Sequence, residues 1–386
     1  MFVVVVFGLA AVWGHNSRVK AKLCNLQWES FVSIKIQPEA IASLRGFEMP
    51  ERLGFGTVMA PVMFRARFQD GRWSDGELLP YGPLALDPAA KVLHYAQSCF
   101  EGLKAYRYGD EGIGLFRPER NAARMAHSAQ RLCMPPVPES LFMDAVNVVV
   151  AHCAGLVPGN SGESLYVRPF LMGTQPDLSV TASRAYEFYV IASPSEAYHP
   201  GNMRLWVERE DSRAAVGGTG DAKVGGNYAA SLQSISRLKA RGYDQSLWLN
   251  PGNRHTVDEL SGMNFFAVMD GALHTPALNG SILEGVTRES LLTLARDAGL
   301  EVHERAIDID DLLQLVASGT CTEAFACGTA AIVSPISELG DGEQRYRLAQ
   351  APGPVAMQLR TALLDIQEGR AEDRFGWMHL VQVASL

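Results

Sequence analysis

The chain has 386 residues, 47% hydrophobic and 20% charged, with a formal net charge of −8. That length exceeds one ordinary core and points to two domains, and an acidic balance with no Lys/Arg-rich block argues against a nucleic-acid or anionic-membrane partner. The six cysteines, at 24, 99, 133, 153, 321 and 327, form no Cys-x-x-Cys or Cys/His cluster, which argues against a metal site and suits reduced thiols in a cytoplasmic protein.

Residues 1–48 are read as a poorly defined N-terminal extension. Its first thirteen residues are almost wholly apolar, too few to span a bilayer, and lack the positive flank of a signal peptide. An upstream start codon is the preferred origin, and a weak signal or anchor is the alternative. Regular structure is expected from about residue 51. Apolar stretches at 62–68 and 72–79 flank Asp70-Gly71, a two-residue hairpin signal. A helix is predicted over 121–132 with Asn121 as its cap, then a second over 141–154. Strands follow at 165–172 and 187–192.

The polar run 193–202, with two prolines and a glycine, reads as a linker. It divides a small α/β domain (49–193, with the linker at 194–202) from a larger one (203–386). Beyond it, strands are predicted at 203–209, 245–250 and 264–269. Helices are predicted at 229–241, 288–298 (with Gly299 as the stop) and 310–317, and Asp270-Gly271 marks another turn. Strands and helices mix in both halves, so the fold class is α+β or α/β in two domains.

The chemistry concentrates in Gly-Gly-Thr-Gly-Asp-Ala-Lys223-Val-Gly-Gly-Asn-Tyr228, where one lysine sits among five glycines. A lysine in a dry, tight site loses its proton more readily, and the neutral amine attacks an aldehyde. Glycines let the backbone approach a flat ring closely. A flexible surface loop with an incidental lysine is the competing reading. Glu259 precedes the apolar stretch 265–268. A carboxylate there suits the protonated nitrogen of a pyridine ring, or alternatively caps a turn. Two stretches offer backbone N–H groups to a phosphate: the Gly-bounded loop at 280–290 that enters a helix, and Cys327-Gly-Thr-Ala330. Each is also readable as a plain junction. Tyr166 and Arg168 share one strand face, and the guanidinium fork suits a carboxylate or holds a neighbouring loop. Tyr95 and Phe100 are candidates for an apolar pocket wall, with ordinary core as the alternative. Together the lysine, the acid and the phosphate-binding turns describe a site for pyridoxal 5'-phosphate.

Eight ordered motifs carry a resemblance. They are Tyr-Gly-Pro-Leu at 81–84, Phe-Glu-Gly-Leu-Lys-Ala-Tyr-Arg at 100–107, Leu-Phe-Arg-Pro at 115–118 and Asn-x-x-Arg-Met at 121–125. Then come Leu-Tyr-Val-Arg-Pro at 165–169, Lys-Val-Gly-Gly-Asn-Tyr at 223–228, Glu-x-x-Gly-Met-Asn at 259–264 and Ile-Leu-x-Gly-Val-Thr-Arg at 282–288. From about residue 54 to 380 the chain resembles the branched-chain amino acid aminotransferases of the fold-type-IV pyridoxal-phosphate enzymes, the D-amino acid aminotransferase-like fold.

The resemblance implies transfer of amino groups between L-leucine, L-isoleucine or L-valine and 2-oxoglutarate, giving L-glutamate. Lys223 would carry the cofactor and shuttle protons, and Glu259 would meet the ring nitrogen. Arg124, Val286, Thr287 and Thr329 would hold the phosphate. Tyr228 would lie by the phenolic oxygen, and Thr329 and Ala330 would meet the substrate carboxylate. Arg168 and Tyr166 would serve the second substrate's distal carboxylate and the pocket wall. Phe55, Tyr95, Phe100 and Tyr198 would cage the aliphatic side chain. The family also implies a homodimer. Its early Phe-Thr-Asp-His-Met pattern is here Met59-Ala-Pro-Val-Met63, and Ala331 and Ser334 stand where some members carry a redox cysteine pair, so no such switch is expected. A D-amino acid or (R)-amine transaminase, or an aminodeoxychorismate lyase-like enzyme, is the alternative on the same scaffold, and an inactive cofactor-binding paralogue is a further one.

Overall fold

A computed structural model describes residues 34–109, 112–198 and 201–384. The apolar N-terminal stretch and the rest of 1–33 lie outside the described residues. Among the described residues the strands form two sheets, one of ten strands and one of nine.

The first sheet is mostly antiparallel and, apart from one C-terminal strand, is built before residue 196. Its long central pair, Ser164–Gly173 and Tyr186–Ser195, is flanked by Val62–Gln69 on one side and Leu103–Tyr108 on the other. The hairpin forms at Asp70-Gly71. Both residues have positive φ (52° and 77°), and Gln69 pairs with Arg72 across them, as a two-residue turn of this type requires. The helices Pro118–Arg131 and Glu139–His152 cover the sheet. Phe142 stacks on Phe188 at 6.1 Å, and Phe188 meets Phe64 edge-on at 6.1 Å.

The second sheet is mixed. Met203–Glu208 pairs in parallel with Gln245–Leu249 and with Ile332–Asp341, and Asn264–Met269 lies antiparallel to Cys321–Gly328. The helices Val286–Asp297 and Pro354–Gln367 enclose an apolar core with it. Phe266 and Phe325, both fully buried, stack there at 5.1 Å and 4°.

Four expectations are corrected. Residues 34–48 are not formless. Ile34–Ile36 pairs in parallel with Gly76–Pro80, and the helix Pro38–Arg45 buries Ala40 and Leu44. A three-residue strand and a two-turn helix are too short to show a period in sequence. The region 203–386 does not all stay with the second sheet, since Met378–Leu380 returns to pair with Gly112–Phe116 of the first. The helix expected over 229–241 is broken into Gly225–Ala229 and Leu232–Ala240. Ser231 Oγ donates to the Tyr228 carbonyl at 2.7 Å, drawing it out of the helix ladder. Asn121 is no cap, because its helix starts at Pro118 behind a left-handed Arg117 (φ 49°). Proline at the first helical position carries that start.

Replacing Phe325 by alanine removes one face of the Phe266 stack in a fully buried core. It is expected to cost about 3–5 kcal/mol, read as a lowered midpoint in urea unfolding. A shift under about 1 kcal/mol would contradict the packing described here.

Candidate active site

The loop that carries Lys223 is held by both sheets. The Lys223 amide donates to Ser128 Oγ at 2.8 Å, and the Phe100 amide donates to the Lys223 carbonyl at 3.1 Å. Cys99 bridges Val224 in antiparallel fashion. The buried Asn227 closes the glycine-rich run upon itself, its amide donating to the Thr219 and Ala222 carbonyls at 2.6 and 2.9 Å. Gly220 is there because nothing larger fits: a Cβ would lie 2.6 Å from the Ser281 carbonyl oxygen.

The lysine side chain is half-buried and enters a cavity of ≈ 230 Å³ between the sheets. Nζ donates to the Tyr228 hydroxyl at 2.8 Å and stands 5.0 Å from the centre of the Phe100 ring.

Glu259 lies on the strand Val257–Leu260 rather than in a turn, and is 4% exposed. Its Oε1 accepts from Arg213 Nη2 at 2.6 Å and from the Leu283 amide at 3.1 Å, and its Oε2 accepts from Asn264 Nδ2 at 2.9 Å. Burial pushes its pKa up to about 7, aided by neighbouring Asp258. Arg213, the Leu283 amide and Lys223 pull the other way.

At the other end stands the N-terminus of Val286–Asp297, whose first amides have no partner in the helix ladder. A Cβ on Gly285 would fall 2.0 Å from Asn264 Oδ1, so glycine lets this terminus approach the start of the strand Asn264–Met269, whose Asn264 serves Glu259. Val286, Thr287, Thr329 and Ala330 line the same cavity. Behind the turn at 328–330, the buried Lys104 donates to the Ala330 carbonyl at 2.8 Å.

Arg124 reaches the cavity too, held by the fully buried Glu101. Its Nε donates to Oε1 at 2.7 Å and its Nη2 to Oε2 at 2.8 Å, while Nη1 donates to the Glu284 carbonyl at 3.0 Å. Burial alone would raise the Glu101 pKa, but Arg124, the Lys223 charge and the Asn121 amide outweigh it and hold the carboxyl below its ordinary value.

The aromatic wall comes from the first sheet. Phe55, Phe100 and Tyr166 line the cavity with Arg168. Phe55 and Tyr166 are 5.0 Å apart, and Gly102 leaves room for the tyrosine hydroxyl, which a Cβ would meet at 2.2 Å. Arg168 lies over Phe100 at 4.7 Å and donates to the Tyr166 hydroxyl at 2.8 Å. Its Nε is buried without a hydrogen-bond partner among the described residues. Two expected wall residues stand elsewhere. Tyr198 packs on Phe55 at 5.9 Å, behind the lining. Tyr95 is 40% exposed, outside the cavity, with its hydroxyl donating to the Leu178 carbonyl.

The arrangement thus offers an amine, a buried carboxylate, an anion-binding end and an apolar wall with a cation in it. The family model for class IV amino-transferases matches residues 98–339. The chain belongs to the class IV aminotransferases. A probable branched-chain-amino-acid aminotransferase of Streptomyces coelicolor is 48% identical over 332 residues, covering 84% of this chain and 92% of that one. The branched-chain-amino-acid aminotransferase of Mycobacterium tuberculosis is 45% identical over 335 residues, covering 84% and 91%. A branched-chain amino acid aminotransferase from Thermobaculum terrenum, solved in its PLP form, aligns with TM-score 0.70 at 25% identity, covering 84% and 99%. This class IV aminotransferase accordingly has the fold-type-IV architecture of a pyridoxal-phosphate family.

Several residues of the site carry no role that the sequence alone assigns. Glu101 and Lys104 lay inside the Phe-Glu-Gly-Leu-Lys motif without an assigned role. Asn227 and Asn264 were likewise motif members. Arg213 had no signal: it sits in Glu210-Asp-Ser-Arg, which looks like a solvated loop.

Breaking the Glu101–Arg124 pair tests how much of the site it holds. Glu101→Gln leaves a guanidinium that is only 10% exposed without its counter-charge, at an expected cost of about 3–5 kcal/mol at neutral pH. Because the folded pKa of Glu101 lies below its ordinary 4.5, its contribution is complete above that pH and is lost as pH falls toward the lowered value. Acid unfolding of the variant should therefore be flatter than the parent's below pH 4.5. Superimposable acid limbs would contradict the pairing.

Proposed function

We propose that this class IV aminotransferase transfers amino groups between L-leucine, L-isoleucine or L-valine and 2-oxoglutarate, with pyridoxal 5'-phosphate held at Lys223. The observation that carries this is the convergence of the Lys223 amine and the Glu259 carboxylate on one cavity that is aromatic on one side and lined with helix-end amides on another. The residues fit the group. Lys223 would hold its aldehyde carbon and Glu259 its ring nitrogen. Tyr228 would meet its phenolic oxygen. Arg124, Val286, Thr287 and Thr329 would hold its phosphate. When bound, the cofactor supplies an electron sink for the bond broken at the substrate's Cα.

The chain's own residues do the rest. Lys223 takes the Cα proton as a general base and returns it as an acid. The Tyr228 hydroxyl, 2.8 Å from Nζ, orients that amine. Thr329 and Ala330 meet the substrate carboxylate. Phe55, Phe100 and Tyr166 exclude water and receive the branched side chain, where each buried methylene is worth about 0.8 kcal/mol. Arg168, with an unsatisfied buried Nε, serves the distal carboxylate of 2-oxoglutarate and glutamate, held against the aromatic wall that an aliphatic side chain also uses.

The functional unit is proposed to be a homodimer. Leu93, Tyr95, Leu178 and Val180 expose large apolar or aromatic side chains around one point, where Tyr95 is tied to Leu178. A second copy covering them would let Tyr95 serve as a wall residue, which its own chain does not allow. Residence in the cytoplasm is proposed with it, since Cys99, Cys153, Cys321 and Cys327 are free, buried thiols.

Two measurements check the reading. Protein saturated with pyridoxal phosphate should show the absorption of a lysine-bound cofactor, bleached by L-leucine and not by D-alanine, and Lys223→Ala should lack it. Bleaching by D-alanine or an (R)-amine alone would keep the scaffold and overturn the substrate class. In Arg168→Ala, KM for 2-oxoglutarate should rise at least about tenfold, about 1.4 kcal/mol, with KM for L-leucine changed far less. An equal rise for both substrates would remove the distal-carboxylate role.

A further inference from the structure

Glu259 occupies a costly place for a charge. It is 4% exposed, and the neighbouring Asp258, also 4% exposed, adds a like charge that disfavours ionisation. Three donors serve its carboxylate, and they differ in kind. The Asn264 amide and the Leu283 backbone N–H are neutral. Arg213 is a cation, its side chain 7% exposed, and makes the shortest contact of the three, 2.6 Å.

The same Nη2 donates to the Ser281 carbonyl at 2.7 Å. One guanidinium thereby joins the irregular stretch leading to Lys223, the strand that carries Glu259 and the loop entering Val286–Asp297. The pair also borders the cavity, with both Arg213 and Glu259 in its wall. An ion pair serving only as a brace would have no need to face the ligand. Two neutral donors also aim the carboxylate, one at each oxygen. The guanidinium adds charge: it favours the ionised acid where burial and Asp258 disfavour it.

We propose that Arg213 is a positioning residue for the ring-nitrogen end of the cofactor site, holding Glu259 as a carboxylate so that the proton between them rests on the ring nitrogen. The proposal rests on the reading that pyridoxal phosphate binds at Lys223. Within the neutral pair of ring nitrogen and carboxyl, the proton has two resting places. A cation beside the carboxylate favours the arrangement in which nitrogen is protonated and oxygen is charged. Without that cation the proton moves to Glu259, the ring becomes neutral, and its pull on electrons weakens.

The test uses the full-length protein loaded with pyridoxal phosphate labelled with ¹⁵N in the ring. The expected result is that Arg213→Gln retains the lysine-bound absorption while its ¹⁵N resonance moves from the protonated to the unprotonated range. Its infrared spectrum gains a protonated carboxyl band, which the further change Glu259→Gln removes. The L-leucine half-reaction slows at least tenfold with little change in leucine affinity, and Arg213→Lys restores both nitrogen shift and rate. A protonated ring and parental rate in Arg213→Gln would overturn the proposal and leave the cofactor reading intact. A parent protein with no lysine-bound cofactor would overturn both. If Arg213→Gln does not fold, Arg213→Lys reads the same nitrogen: a protonated ring supports a role carried by charge, and a neutral ring overturns it.

Discussion

The main chain of Lys223 is fastened to the first sheet and to the helix Pro118–Arg131 that covers it, although the residue lies between strands of the second. Its amide is taken by Ser128 and its carbonyl by Phe100, and Val224 bridges Cys99. From that stitch the rest of the site follows. It brings the amine to the aromatic wall of the first sheet, and it sets the glycine-rich run against the Ser281 loop at a distance only glycine tolerates. Helix Val286–Asp297 then faces the same cavity from the second sheet. A site of this kind exists only while both sheets keep their relative place, so packing far from the cavity bears on its chemistry.

Charge is distributed within the cavity with a clear division. Two arginines are paired with buried carboxylates, Arg124 with Glu101 and Arg213 with Glu259. Arg168 faces aromatic rings and a tyrosine hydroxyl instead. A paired arginine is fixed in place and contributes little net field. An arginine without a counter-ion in a poorly hydrated wall keeps its attraction for an incoming anion. Carboxylates of exchanging substrates need the second kind, and a resident group needs the first.

Elements with a strong local signal were legible in the sequence. The Asp70-Gly71 turn, the strands of the central pair and the helix ending at Gly299 all announce themselves by turn chemistry or period. The helix over 229–241 was misread because Ser231, an ordinary helix residue in sequence, bonds back to Tyr228. The segment 34–45 was missed because its burial depends on Gly76–Pro80, a partner some forty residues away. For the site, the motif residues were legible because glycine, lysine and carboxylate in that spacing have few other uses. Arg213 was not, since its partner is set by the route of an irregular loop that carries no period at all. Tyr95 was read as a cavity wall, and in the folded chain its surroundings are a surface.

The chain crosses between the two sheets twice. It leaves the first after Ser195 and comes back to it through Met378–Leu380, where the Arg117 amide donates to the Trp377 carbonyl at 2.8 Å and its guanidinium lies over the Trp377 ring. Two lobes joined by one connection swing like a door on a single pin. Two connections at separate points define a line, and rotation about any other direction must stretch one of them. The return strand therefore fastens the sheets at a second point, and with Tyr106 and Phe116 of the first sheet buried in one apolar cluster with Phe266, Leu359 and Trp377, the spacing between the lysine and the aromatic wall is set at both ends of the chain's second half.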